Sequence, residues 1–145
     1  MIQPLTINDL DKIVILENNQ LKSSLGYDFL KQELEENPYA YHLVIKDKDE
    51  VIGYLSSRIF EDTSELLNIV VDKKYQNQKY GSKLLEHLIN ELKKRKIKTL
   101  ILEVRPSNIG AQRLYHKYNF KHILSRKNYY KDEDAYVFLW ENESL

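Results

Sequence analysis

The stretch from Leu66 to Ser82 restricts the fold more than any other part of the chain. Leu66 to Val71 (LLNIVV) is a nearly all-apolar run of six. Such a run reads as a central strand buried on both faces. A polar loop, Asp72 to Tyr80, follows, then Gly81. Beyond it, apolar residues at 84, 85, 88, 89 and 92 form one stripe at helical period. Strand, polar loop and amphipathic helix in this order require a sheet with a helix packed on it. The same order brings the free N–H groups of a helix's first turn, and the positive end of its dipole, against the loop. That arrangement binds phosphate. The nucleotide-type patterns GxxxxGK[ST] and GxGxxG are both absent.

The remaining elements fit around this unit. Apolar residues at 10, 13, 14 and 16 predict a helix over Asp9 to Glu17. A second helix is predicted over Tyr27 to Glu36, ended by Asn37-Pro38. Tyr41 to Lys46 and Val51 to Phe60 read as a hairpin around the polar turn Asp47 to Glu50. A further turn is expected at Thr63-Ser64. Thr99 to Val104 is strand-like, and Pro106-Ser107-Asn108 ends it and offers an N-cap for a short helix over Asn108 to Tyr118. Phe120 to Leu124 and Tyr136 to Trp140 are closing strands. The expected class is α/β: a mixed sheet, antiparallel first, with helical crossovers later and about four helices. A length of 145 residues, with 4 Gly and 3 Pro, fits one domain spanning 1–145.

Composition narrows the functions. Twenty-two Lys and Arg balance twenty-two Asp and Glu. A net charge near zero argues against a nucleic-acid or anionic-membrane partner. The basic run Lys93 to Lys98 reads as the solvated last turn of a helix. There is no cysteine, which removes disulfides, thiolate nucleophiles and cysteine-ligated zinc. His42, His87, His116 and His122 lack metal-ligand spacing and read as packing residues, so no metal is expected. The start of the chain lacks a signal-peptide pattern, and no apolar run approaches the ~18 residues of a membrane span. The expected compartment is the cytosol, and a monomer is the expected state.

Two further blocks carry a resemblance. The first is Leu102-Glu103-Val104-Arg105-Pro106-Ser107-Asn108, continuing through Ala111, Leu114-Tyr115 and Tyr118-Asn119-Phe120. The second is Arg126-Lys127-Asn128-Tyr129-Tyr130 with Asp134-Ala135. With Glu65-Leu66-Leu67-Asn68-Ile69, these resemble the GNAT acetyltransferase superfamily and, within it, the ribosomal-protein-alanine N-acetyltransferases. The resemblance implies a GNAT fold and acetyl-CoA as cosubstrate. Its implied cofactor contacts are Ile69, Val70, Val71, Asn77, Gln78, Lys79, Tyr80, Gly81, Ser82 and Asn108. It implies Glu103 as general base, Tyr115 as general acid, and Glu65, Tyr129 and Tyr130 along an acceptor groove. The implied acceptor is a protein N-terminus, the N-terminal alanine of small-subunit ribosomal protein eighteen. Two alternatives stay open: a GNAT enzyme for lysine side chains or a small amine, and a non-catalytic CoA-binding partner module.

Three departures from the family pattern stand out. Lys79 replaces the middle glycine of the phosphate loop. If that position needs a positive φ, Lys costs about 1 kcal/mol more than Gly. Its ammonium would in turn attract a phosphate. Asn119 replaces a glycine, and Asn also tolerates a left-handed C-cap. Asn19 to Gly26 does not match the aromatic-Pro-Trp-Ser stretch that walls the family's groove.

The chemistry follows from the residue types. An α-amino group has a pKa of about 7.7–8.0 and must lose a proton before it attacks. A carboxylate within hydrogen-bond reach, directly or through one water, accepts it. Glu103 lies between Leu102 and Val104, and a Glu on such a strand is either partly exposed or kept for a reason. The leaving thiol, pKa about 8.5, needs only modest help, which a phenol supplies. Most of the 11 tyrosines are packing residues; Tyr115 is singled out only by its place in the motif. With no cysteine for an acyl-enzyme, direct attack in a ternary complex is expected, with backbone N–H groups around Ile69 to Val71 polarising the thioester carbonyl.

Overall fold

The computed structural model describes residues 1–20 and 24–145. Seven strands form one sheet: β1 (Ile2–Pro4), β2 (Ala40–Asp47), β3 (Glu50–Phe60), β4 (Thr63–Val71), β5 (Thr99–Val104), β6 (Lys121–Arg126) and β7 (Ala135–Glu141). Their spatial order is β1-β2-β3-β4-β5-β7-β6. Every pairing is antiparallel except β4 with β5. Helices α1 (Leu10–Gln20) and α2 (Tyr27–Glu36) precede the hairpin, α3 (Tyr80–Lys94) crosses from β4 to β5, and α4 (Ile109–Lys117) links β5 to β6.

The α/β class and the four predicted helices are present. The strand β1 was not foreseen; three residues are too few to show a period. The second turn falls at Glu61-Asp62, not Thr63-Ser64. Glu61 takes the left-handed conformation (φ 56°) there, while Thr63 already pairs with Phe60.

Two cores flank the sheet. On one face α3 buries Leu84, Leu85, Leu88, Ile89 and Leu92, the predicted stripe, against Leu43, Leu55, Leu66, Leu100 and Phe138. On the other, α1 and α2 bury Leu10, Ile13, Leu16 and Leu30 against Val44, Tyr54 and Val70. Each of these helices therefore has one apolar face to cover, and the sheet supplies it. Lys93 and Lys94 occupy the last turn of α3, where cations complement the helix dipole, as expected.

The expectation of a β4 buried on both faces needs correction. Leu66 and Val70 are buried, but Leu67, Asn68, Ile69 and Val71 are only half-buried. The parallel ladder explains this. It runs only from Thr63–Thr99 to Leu66–Leu102, and β4 and β5 diverge beyond that point. The apolar run is the wall of an opening as well as part of a core.

Candidate active site

Where β4 leaves β5, the strand edge from Leu67 to Val71 has no ladder partner on the β5 side among the described residues. Buried main-chain N–H and C=O groups require partners, so this edge is available to an extended ligand. A β-bulge sharpens the site. Ser56 pairs with Asn68 and Ser57 with Leu66, leaving Leu67 as the extra residue.

Two adjoining clefts occupy the opening. The larger, about 510 Å³, runs along Ile69, Val70 and Val71, past the loop residues Gln76, Asn77 and Lys79, to Gly81 and Ser82 at the start of α3. The smaller, about 320 Å³, lies in the gap between β4 and β5, and Leu66 to Ile69 face Leu102 to Arg105 across it. Gln20, Ile69, Asn108, Ala111 and Tyr115 line both. The two spaces therefore meet at Tyr115.

The loop before α3 has a backbone geometry that suits an anion. Asn77 (φ 65°) and Lys79 (φ 67°) are left-handed. Loops of mixed hand turn successive N–H groups into a concavity. Lys79 is the N-cap of α3 and makes no side-chain capping bond. Among the described residues the first-turn N–H groups thus have no capping side chain. The positive φ anticipated for Lys79 is real. Gly81 has no such need; a Cβ there would sit 3.7 Å from Leu114 and 3.8 Å from Val71, between two walls of the larger cleft. The space, the open strand edge and the uncapped helix together fit an elongated thioester with a pyrophosphate. Of the cofactor contacts expected, Gln78 alone does not line this cleft.

Asn108 caps α4, its Oδ1 accepting from Ala111 N at 3.1 Å. The cap fixes the helix that carries Tyr115. Tyr115 is nearly buried, with Phe120 and Phe138 behind its ring at 5.4 and 6.1 Å. Burial pushes its hydroxyl well above the usual phenol range, so it is protonated at any working pH.

Glu103 enters the smaller cleft from β5 with 27% of its side chain exposed, and Arg126 Nε lies 3.7 Å from its carboxylate. Tyr129 hydrogen-bonds Glu103; that bond, then burial, pushes Tyr129 up to about 12. Tyr130 lines the cleft and is raised by burial and by the nearby Glu103 charge. Behind it, the Arg105 guanidinium stacks 4.1 Å from the ring centre and binds Asp132 at 2.6 Å and Glu133 at 3.2 Å. Ser107 Oγ also donates to Glu133 at 2.7 Å. This clamp fixes the β6–β7 loop that carries both tyrosines.

Two of the expected groove residues stand apart. Tyr129 is half exposed and reaches the cleft through Glu103. Glu65 lies opposite Arg58, whose guanidinium is engaged by Glu33 of α2, and does not line the cleft. Sequence reasoning missed Gln20, Tyr75 and Leu114 as lining residues. It also missed the bulge at Leu67 and the Arg105 clamp. The divergent segment, Asn19 to Gly26, falls partly outside the described residues.

Residues 8–120 match the family model for the acetyltransferase (GNAT) family. The chain belongs to that family. It is an acyltransferase that uses acetyl-CoA as donor. A Haemophilus ducreyi ribosomal protein bS18-alanine N-acetyltransferase is 42% identical over 107 residues, covering 72% of this chain and 74% of its own. A Bacillus subtilis protein, provisionally given the same name, is 34% identical over 141 residues, covering 96% and 93%. The crystal structure of the Escherichia coli ribosomal-protein-S18-alanine N-acetyltransferase superposes with a TM-score of 0.88 at 31% identity, covering 100% of this chain and 97% of that one. Among the described residues, no helix is long and apolar enough to cross a membrane.

Proposed function

We propose that this chain, acting over 1–145 as one catalytic domain, acetylates the N-terminal amine of a protein, and that its acceptor is the N-terminal alanine of ribosomal protein bS18. The observation that carries this reading is the meeting of two clefts at Tyr115, with Glu103 in the smaller one. The relatives named for that activity supply the acceptor.

In this reading the open edge of β4 pairs with the pantetheine arm, and the N–H groups of Asn77 to Ser82 hold the pyrophosphate. Glu103 takes one proton from the ammonium of the acceptor, directly or through a water. The freed amine attacks the thioester carbonyl carbon, a C–N bond forms and the C–S bond breaks. Main-chain N–H groups near the bulge stabilise the carbonyl oxygen as it gains charge. Tyr115 donates its proton to the departing sulfur and is reprotonated by the second proton that the nitrogen loses as the amide forms. Its raised hydroxyl is not mismatched, because the same apolar surroundings also raise a thiol. The products are the N-acetylated terminus, the CoA thiol and one proton released through Glu103. No step requires a metal.

The deciding experiment presents peptides with free N-termini, including the bS18 terminus, beside internal-lysine peptides, with acetyl-CoA. Acetylation of the α-amine of the bS18 peptide is expected. Transfer to lysines alone would replace the proposal with a lysine acetyltransferase, and no transfer with intact acetyl-CoA binding would favour a partner module.

A further inference from the structure

One polar chain inside the molecule ends in the active-site cleft. Glu17 of α1 is completely buried. Its carboxylate accepts from Leu25 N at 2.9 Å and Gly26 N at 3.1 Å, in the segment leading into α2. It also accepts from Tyr54 Oη on β3 at 2.6 Å. Tyr54 is itself completely buried, and its oxygen receives Asn68 Nδ2 from β4 at 3.4 Å. Asn68 follows the bulge and lines the smaller cleft opposite Glu103.

The direction of this chain is fixed by chemistry. A carboxylate accepts only, so Tyr54 must donate its single proton to Glu17. Burial and the adjacent Glu17 charge push the Tyr54 hydroxyl far up, so that proton stays in place. The phenol oxygen can then only accept, and the Asn68 atom beside it must be the NH₂ group. The amide is therefore held with its carbonyl Oδ1 uncommitted; among the described residues it has no hydrogen-bond partner. Capping of Leu25 and Gly26 explains why Glu17 is buried. It does not explain a polar line that continues through Tyr54 to a half-buried amide on the wall of the reaction cleft.

An acceptor ammonium brings three N–H donors and, on the reading above, meets one carboxylate from β5. We infer that Asn68 Oδ1 is the second acceptor, a binding contact to the amine of the incoming N-terminus, with Tyr54 and Glu17 as positioning residues that fix the amide. This rests on the proposed N-terminal acetylation. It assigns Asn68 to acceptor binding, not to the acetyl-CoA side of the site.

The test is steady-state kinetics with the bS18 N-terminal peptide, together with acetyl-CoA binding by thermal shift. Asn68→Ala should raise the peptide KM about tenfold or more, the scale of a hydrogen bond to a charged group, and leave the acetyl-CoA shift unchanged. Tyr54→Phe keeps the amide but releases its orientation, and should raise the peptide KM about threefold with little change in kcat. Asn68→Ala is half-buried and tests the contact even if Tyr54→Phe fails to fold. An unchanged peptide KM in Asn68→Ala, or a loss confined to acetyl-CoA binding, overturns the inference while leaving N-terminal acetylation intact. A wild-type enzyme that acetylates no N-terminal peptide overturns both.

Discussion

Replacing Lys79 by glycine should make the protein more stable, although it deletes a cation from the proposed pyrophosphate loop. Lys79 holds φ 67° and ψ 19° at the N-cap of α3. A side chain in that region costs about 1–2 kcal/mol, while glycine's greater freedom in the unfolded chain takes back about 0.5–1 kcal/mol. The expected net gain is therefore about 0.5–1 kcal/mol. In a domain of this size that is a rise in melting temperature of about 2 °C. Urea unfolding should show a higher midpoint at unchanged slope. Lys79→Ala is the control, because it keeps a Cβ in the left-handed region and removes only the ammonium. If the ammonium assists phosphate, both variants should bind acetyl-CoA up to about fivefold more weakly, the scale of one exposed ion pair. Stability would separate them, with glycine above lysine and alanine not. A glycine variant no more stable than the alanine variant would refute the argument from backbone strain.

Other outcomes follow from the same geometry. Glu103→Gln should reduce turnover most at neutral pH and recover part of it above pH 8, where an α-amine of pKa about 7.7–8.0 deprotonates unaided; equal loss at all pH values would remove Glu103 as base. Tyr115→Phe should lower kcat with little change in acetyl-CoA affinity, and an unaltered kcat would take Tyr115 out of the chemistry. His42 should lower stability in acid. Burial pushes it from 6.5 down to about 4, against the pull of Glu33, whose carboxylate lies 3.6 Å away. The unfolded chain therefore takes up the proton first. Stability should fall as pH drops from about 6.5 to about 4, by up to about 3 kcal/mol for a gap of about 2.5 pH units. Glu33 adds its own loss lower down. Burial alone would raise it, but hydrogen bonds from Arg58 and Asn37 hold it below its usual value. Denaturant unfolding of His42→Gln should show a flatter profile between those pH values, and an unchanged slope would argue against His42.

The elements that could be read from the chain are those whose pattern is local. The α3 stripe, the Tyr27–Glu36 helix and the Asn108 cap each follow from spacing within one or two turns, and each is present. Lys79 and Asn119 were marked as left-handed candidates by comparison with glycines, and both have positive φ. What could not be read depends on pairing between distant segments. The bulge at Leu67 exists only as a register shift against β3. The divergence of β4 from β5 depends on a ladder that stops after four pairs. Glu17 reads as an ordinary helical residue until the fold sets it against Tyr54, 37 positions away. Arg105 looks like part of a motif, while its partners at 132 and 133 give it a mechanical task.

These non-local features have one origin. A parallel pair in the middle of an otherwise antiparallel sheet needs a crossover, and α3 supplies it. Because the crossover starts at the phosphate loop, the helix end that can hold an anion stands beside the strand edge left open by the divergence. The helix end and the open strand edge are thus fixed to each other by topology, whichever side chains line them. Glu103 and Asn68 then face each other across the gap because each lies just beyond the last paired rung, Leu66 with Leu102. A change that extended the β4–β5 ladder by two rungs would draw the strand segments that carry Glu103 and Asn68 together and close the cleft. Beside this gap, Gln20 at the end of α1 lines both clefts, and Tyr130 reaches the smaller one from a β6–β7 loop held by Arg105.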